Sequence, residues 1–137
     1  MRHEIIPTLR YADAPAAIDF LCAAFGFERH AVYADAGDPH LVHHAQLVWH
    51  DRMVMLASAV PSDHVRAARM LTPAEAGGVT MGLYLVVADV DGHAARARAA
   101  GAEIVAEPED KDYGGRGYSA RDPEGNVWSF GSYDPWG

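Results

Sequence analysis

Cysteine is almost missing from this chain. Cys22 stands alone, so no disulfide can close within it, as expected of a reducing compartment. Basic residues are also scarce: 11 Lys and Arg face 19 Asp and Glu, for a formal net charge of −8. That balance argues against nucleic acid, whose binding rests on Lys and Arg. It suits a cationic ligand, and it equally suits plain solubility. No apolar run approaches the roughly 20 residues that cross a bilayer. The start, MRHEIIPTLRY, has neither the apolar stretch nor the small-residue cleavage site of a secretory signal. The expectation is a cytoplasmic protein without nucleic-acid or membrane partners. No low-complexity tail is present. The 137 residues, 50% of them hydrophobic, suffice for one domain that buries roughly two-thirds of its unfolded surface.

What the sequence does contain is a duplication. LRYADAPAAIDFLCAAFGFE begins at Leu9 and LVVADVDGHAARARAAGAEI at Leu85. Each runs through an apolar strand, Ala-Asp, an Ala-rich segment, a glycine and a return to strand. In the first copy Asp13 can cap a helix and Pro15 sits in its first turn, where a missing N–H costs little. Ile18, Leu21, Cys22 and Phe25 form one apolar stripe, which makes Cys22 a buried, inert thiol; Gly26 stops the helix. In the second copy Asp89 is the cap, Val90, Ala94 and Ala97 the stripe, and Gly101 the stop.

Strand signals follow each helix: FERHAVY, LVHHAQLVW and MVMLAS in one copy, AEIVAE, RGYSAR and NVWSFGSY in the other. A turn at His50-Asp51-Arg52 joins the last two strands of the first copy. Asp122-Pro123-Glu124-Gly125 joins those of the second, where Pro123 presets φ and Gly125 supplies the left-handed residue of a bulged hairpin. The fold class is therefore α+β, with two tandem βαβββ modules at about 3–58 and 79–133. A linker with a short helical stretch spans about 59–78.

This duplicated layout, with AAIDFLCAAFGFE and YGGRGYSARDPEGNVWSFG, resembles the vicinal oxygen chelate superfamily of glyoxalase I, extradiol dioxygenases and bleomycin-resistance proteins. The resemblance covers nearly the whole chain. It implies one domain over 1–137 whose mixed sheets curl into a ligand-holding cup, in a homodimer. It also implies up to four metal ligands, usually His, Glu or Gln, on the first and last strand of each module. Carried over, those positions are Ile6, Leu56, Gly82 and Ser129. Divalent metals want imidazole, carboxylate or thiolate, so the expectation is no metal, no cofactor and no catalytic residue.

Strand alternation then assigns a lining. Leu9, Tyr11, Leu47, Trp49, Leu83, Leu85, Trp128 and Phe130 face the helices as core. The opposite face carries the candidate binding residues Thr8, Arg10, His44, Gln46, Val48, Leu56, Tyr84, Ser119, Arg121 and Ser129. Tyr113, Arg116, Tyr133 and Trp136 can cover the mouth. This mixture suits a bulky, partly polar organic ligand. Arg10 and Arg121 can contact it or pair with rim carboxylates such as Glu4; Tyr84 can contact it or pack. His40, His43 and His44 read as solvated or loop histidines. GGRGYSA precedes a strand, so it is no phosphate loop, and Ser119 lacks a nucleophile elbow.

The first expectation is a non-enzymatic protein that sequesters an antibiotic-like molecule or metabolite. The alternative is an enzyme of the same superfamily, a lyase, isomerase or dioxygenase. It would hold a metal through Glu4, His44 and Gln46, or would use His44 as a metal-free general base.

Overall fold

The computed structural model describes every residue, Met1–Gly137. The chain divides into two compact units. One comprises Met1–Cys22 and Gly26–Thr72, the other Ala23–Phe25 and Pro73–Gly137.

In the first unit, β1 (Thr8–Tyr11) leads into α1 (Ala14–Phe20). Asp13 caps α1 by accepting the Ala16 N–H at 3.1 Å, and Pro15 stands in the first turn, where no helical partner is lost. Beyond Phe20 the helix widens into a π-helical turn, Leu21–Phe25, which Gly26 closes at φ 87°. Next come β2 (Glu28–Ala34), β3 (Val42–Trp49) and β4 (Arg52–Ser58). The sheet order is β1-β4-β3-β2. β1 runs parallel to β4 and the other pairs are antiparallel. α1 packs across β1, β3 and β4, covering the buried side chains of Leu9, Tyr11, Ala45 and Leu47. A short helix, α2 (Asp63–Ala68), follows, capped by Ser62 through the Val65 N–H at 3.1 Å.

The second unit opens with the one-turn α3 (Pro73–Ala76) and repeats the plan. It contains β5 (Leu83–Val86), α4 (Val90–Ala99), β6 (Glu103–Asp110), β7 (Arg116–Arg121) and β8 (Val127–Gly131). The order is β5-β8-β7-β6, again with one parallel pair. Asp89 caps α4 through the Gly92 N–H at 3.0 Å. Val90, Ala94 and Ala97, the expected stripe, are buried. The core centres on Trp128 and Phe130, both fully buried, with the Phe25 ring 4.8 Å from Phe130 and 5.5 Å from Trp128. Each such aromatic stabilises by about 1.5–3 kcal/mol through burial, and tilted pairs add about 0.5–1.5 kcal/mol. At the β7–β8 hairpin Gly125 has φ 98°. The Asp122 carboxylate accepts from the N–H groups of Glu124 and Asn126 and from Trp128 Nε1.

Two expectations need correction. The β3–β4 turn has two residues, His50 and Asp51, because Trp49 pairs directly with Arg52; His50 adopts φ 54°. A three-residue turn through Arg52 would set Met53 opposite Trp49, and a one-residue slip exchanges the two faces of a strand. Val54 and Leu56 are therefore core, 5% and 2% exposed, and Leu56 lies between Leu9 and Ala45. The open face of β4 carries Met53, Met55 and Ala57 instead. Cys22 is half-buried rather than enclosed, with Arg29 Nη1 3.6 Å from its sulfur; burial pushes its thiol up.

Candidate functional site

The open face of the second sheet is built in rows across the strands. One row runs Tyr84–Ser129–Ser119–Ala106 and the next Val86–Gly131–Gly117–Glu109. The hydroxyls of Ser119 and Ser129 bond to each other at 2.8 Å. Beside them the glycines leave the floor bare. A Cβ on Gly131 would come within 2.5 Å of Tyr84 Oη, so the phenol of Tyr84 lies in the space a side chain would fill. From there Tyr84 donates to the Tyr133 carbonyl at 2.7 Å. The Tyr133 ring meets Tyr113 edge-on, centroids 5.4 Å apart.

Serines, glycines and tyrosines thus enclose a cleft of about 290 Å³, lined also by Lys111, the only lysine of the sequence. That volume is at the lower end for small-molecule sites. The titratable groups with resolved shifts around it are all pushed upward. Burial raises Tyr84, with Tyr113 adding to the effect. Burial alone raises Tyr118 strongly. Lys111 is raised by its bond to Glu109, and Arg116 by Asp91 and Asp110. At neutral pH these groups keep their protons, so none of them is a base there; the Tyr118 hydroxyl is bonded to His93 on the helix side of the sheet.

The expected residues separate into groups. Tyr84, Tyr113, Ser119 and Ser129 line the cleft together. Arg116 reaches it, but its guanidinium is held by Asp91 at 3.0 Å and by Asp110 at 3.2 Å. Arg121 pairs with Glu103, the carboxylate alternative. Trp136 is 97% exposed and is not among the lining residues. The sequence reading missed the lining residues Lys111 and Gly117, and it missed Gly131, which is outside the lining but leaves the room that Tyr84 fills. Lys111 was legible only as a singular lysine, and the glycines only as gaps in an alternating strand.

In the first sheet, Thr8, Met55, Gln46 and Ala31 form one open-face row. Arg10 pairs with Ala57, and His44 with Tyr33, in the next. Val48 pairs with Met53 beyond them. Gln46 Nε2 lies 3.1 Å from His44 Nε2. The amide nitrogen can only donate, so this imidazole nitrogen accepts and the ring proton rests on Nδ1. His43 bonds Asp35 at 2.9 Å and His40 lies 3.4 Å from Asp13.

The residues present do not fit a divalent metal. The carried-over positions supply one hydroxyl, Ser129, already bonded to Ser119. Of the alternative trio, Glu4 is engaged by Arg2 at 3.2 Å, while His44 and Gln46 bond each other. No three His, Cys, Asp or Glu side chains converge as a metal-holding group.

Comparison with known proteins matches residues 5–130 to the Glyoxalase/Bleomycin resistance protein/Dioxygenase superfamily. An uncharacterized protein of Mycobacterium bovis is 35% identical over 125 residues, covering 91% of this chain and 80% of its own. TioX from Micromonospora sp. ML1 superposes with a TM-score of 0.72 and 32% identity, covering 95% of this chain and 98% of its own. FosX of Listeria monocytogenes, a fosfomycin resistance protein, shares the fold at 12% identity and a TM-score of 0.70, over 99% of this chain and 97% of its own.

Proposed function

Because the chain belongs to the Glyoxalase/Bleomycin resistance protein/Dioxygenase superfamily, we propose that it is a non-enzymatic binding protein for a small organic molecule. The ligand is an antibiotic-like compound or a metabolite, held in the cleft of the second unit by a cytoplasmic homodimer. One observation carries this reading. The cleft lining contains no Asp, Glu, His or Cys, and Tyr84 and Lys111, the groups that bring polar atoms to it with resolved shifts, are pushed toward their protonated forms. General-base catalysis near neutral pH needs the opposite. The paired serine hydroxyls keep one proton to donate and Lys111 keeps N–H groups beyond the one on Glu109, which favours a ligand rich in acceptors, and the exposed face of Tyr113 favours a flat, apolar portion. No helix in the chain is long and apolar enough to cross a membrane.

The test is a protein-observed NMR screen with a library of small aromatic carbonyl compounds, with each compound followed in the same tube. Binders should shift the amides of Gly117, Ser119 and Ser129, saturate at one per chain and remain chemically unchanged. Binding elsewhere would overturn the site. Catalytic conversion of a bound compound would overturn the non-enzymatic reading.

A further inference from the structure

The open face of the first sheet holds an arginine that the rest of the chain does not use. Arg29, Arg52, Arg116 and Arg121, the other strand-borne arginines, each engage a carboxylate. Arg10 engages none, although acidic side chains outnumber basic ones 19 to 11. Its Nη2 donates to the Val60 carbonyl at 3.2 Å. Its Nε is buried and has no partner. An unsatisfied buried donor is destabilising, and on a guanidinium that cost is relieved best by an anion.

The neighbours of Arg10 make room for one. Across β4 it faces Ala57, the smallest open-face side chain on that strand. The β3–β4 register pairs Ala45 with Leu56, and one residue further it sets His44 opposite Ala57. Arg10 and His44 therefore flank a methyl floor two strand spacings wide, about 10 Å between backbones. Both side chains are long enough to converge above it. With Nε2 taken by Gln46, His44 has its Nδ1 proton left to donate, and the Tyr33 ring stacks on its imidazole at 6.1 Å. A planar fork on one side and a ring N–H on the other are the donor pattern an oxyanion accepts.

We propose that the row Arg10–Ala57–His44 is a binding site for an oxyanion, a carboxylate or phosphate group of an organic ligand. Arg10 is the bidentate anchor and His44 the second donor. The site lies wholly within the first unit and does not rest on the cleft of the second. A swing of the Arg10 side chain turns Nε toward the anion, which then satisfies the orphaned donor.

The test follows arginine Nε–Hε signals by NMR in the full chain during separate titrations with sodium phosphate and sodium acetate, at ionic strength fixed with chloride. The Arg10 signal, identified by its loss in Arg10→Gln, should shift saturably in the millimolar range while those of Arg29 and Arg121 barely move. Saturation with phosphate alone assigns a phosphate group; saturation with acetate as well assigns a carboxylate. Arg10→Lys, which keeps the charge without the fork, should weaken binding about tenfold, and His44→Ala by severalfold. A linear, unsaturating shift, or equal shifts at all arginines, would overturn the site. Full-strength binding by Arg10→Lys or His44→Ala would overturn the roles given to those residues.

Discussion

Replacing Asp122 by alanine tests how the hairpin that carries the cleft floor is held. The Asp122 carboxylate, 4% exposed, accepts three hydrogen bonds: from the Glu124 N–H at 3.0 Å, the Asn126 N–H at 3.1 Å and Trp128 Nε1 at 3.1 Å. The two backbone donors lie in a half-buried turn, where water can reach them, and losing each costs about 0.5–1.5 kcal/mol. Trp128 is fully buried, so its indole N–H would be orphaned at a further cost of about 1–3 kcal/mol. The expected loss is about 2–6 kcal/mol, a large part of a domain's usual stability. Urea unfolding followed by tryptophan fluorescence measures it. Asp122→Asn keeps the acceptor for the backbone N–H groups but turns an NH2 group toward the indole N–H, so it should lose roughly half as much. A loss below about 1 kcal/mol for Asp122→Ala would refute the clamp. An equal loss for the two variants would refute the division between turn and indole.

Further outcomes follow from the same structure. His93 bonds Tyr118 Oη through Nδ1 at 2.5 Å and the Phe25 carbonyl through Nε2 at 3.2 Å; burial lowers its pKa below the ordinary 6.5, and Arg96 adds to that. The folded chain thus binds fewer protons than the unfolded one just below pH 6.5, so stability is complete above that pH and falls as acid is added. His93→Gln should flatten that part of a stability-versus-pH curve, and an unchanged slope would contradict it. Leu56→Ala should cost about 2–5 kcal/mol in urea unfolding, as for a core leucine; a loss below about 1 kcal/mol would return Leu56 to the open face. Gly131→Ala should displace the Tyr84 phenol and weaken cleft ligands about tenfold. Its unfolding free energy should fall by about 1 kcal/mol or more, since the lost hydrogen bond and the Arg116 carbonyl 3.2 Å from the new Cβ outweigh the better strand propensity of alanine. Tyr84 ring signals that stay in place in this variant would refute the steric reading.

The duplicated fold could be read from sequence because its signals are local. Asp13 and Asp89 cap helices, Gly26 and Gly101 end them, and Asp122-Pro123-Glu124-Gly125 fixes a hairpin. The first hairpin was harder. His50-Asp51 contains no glycine, and His50 takes a left-handed backbone that its residue type does not advertise. One residue of turn length then moved Leu56 to the wrong face. The cleft depends on what is missing from side chains. Gly131 creates the space that Tyr84 occupies, and strand alternation reports faces but not vacancies. The pairing of Arg121 with Glu103 was left open by the sequence because β6 and β7 meet only through long-range register.

The duplication also shows how the two open faces diverged. Thr8 and Tyr84 occupy corresponding places on the first strands, as do Arg10 and Val86. In the first sheet the Arg10 row keeps a guanidinium and an imidazole. In the second sheet the corresponding row is Val86–Gly131–Gly117–Glu109, with two glycines, and the Tyr84 phenol lies over one of them. The same backbone thus presents a charged row in one unit and a tyrosine-walled cleft in the other.

Native mass spectrometry of the purified protein and of its Tyr84→Ala and Ser129→Ala variants reads ligand and metal content together. If the cleft holds an organic molecule, an adduct is expected at no more than one per chain, without a divalent ion, and diminished in both variants. A stoichiometric divalent ion that survives desalting and leaves with a chelator would contradict the account.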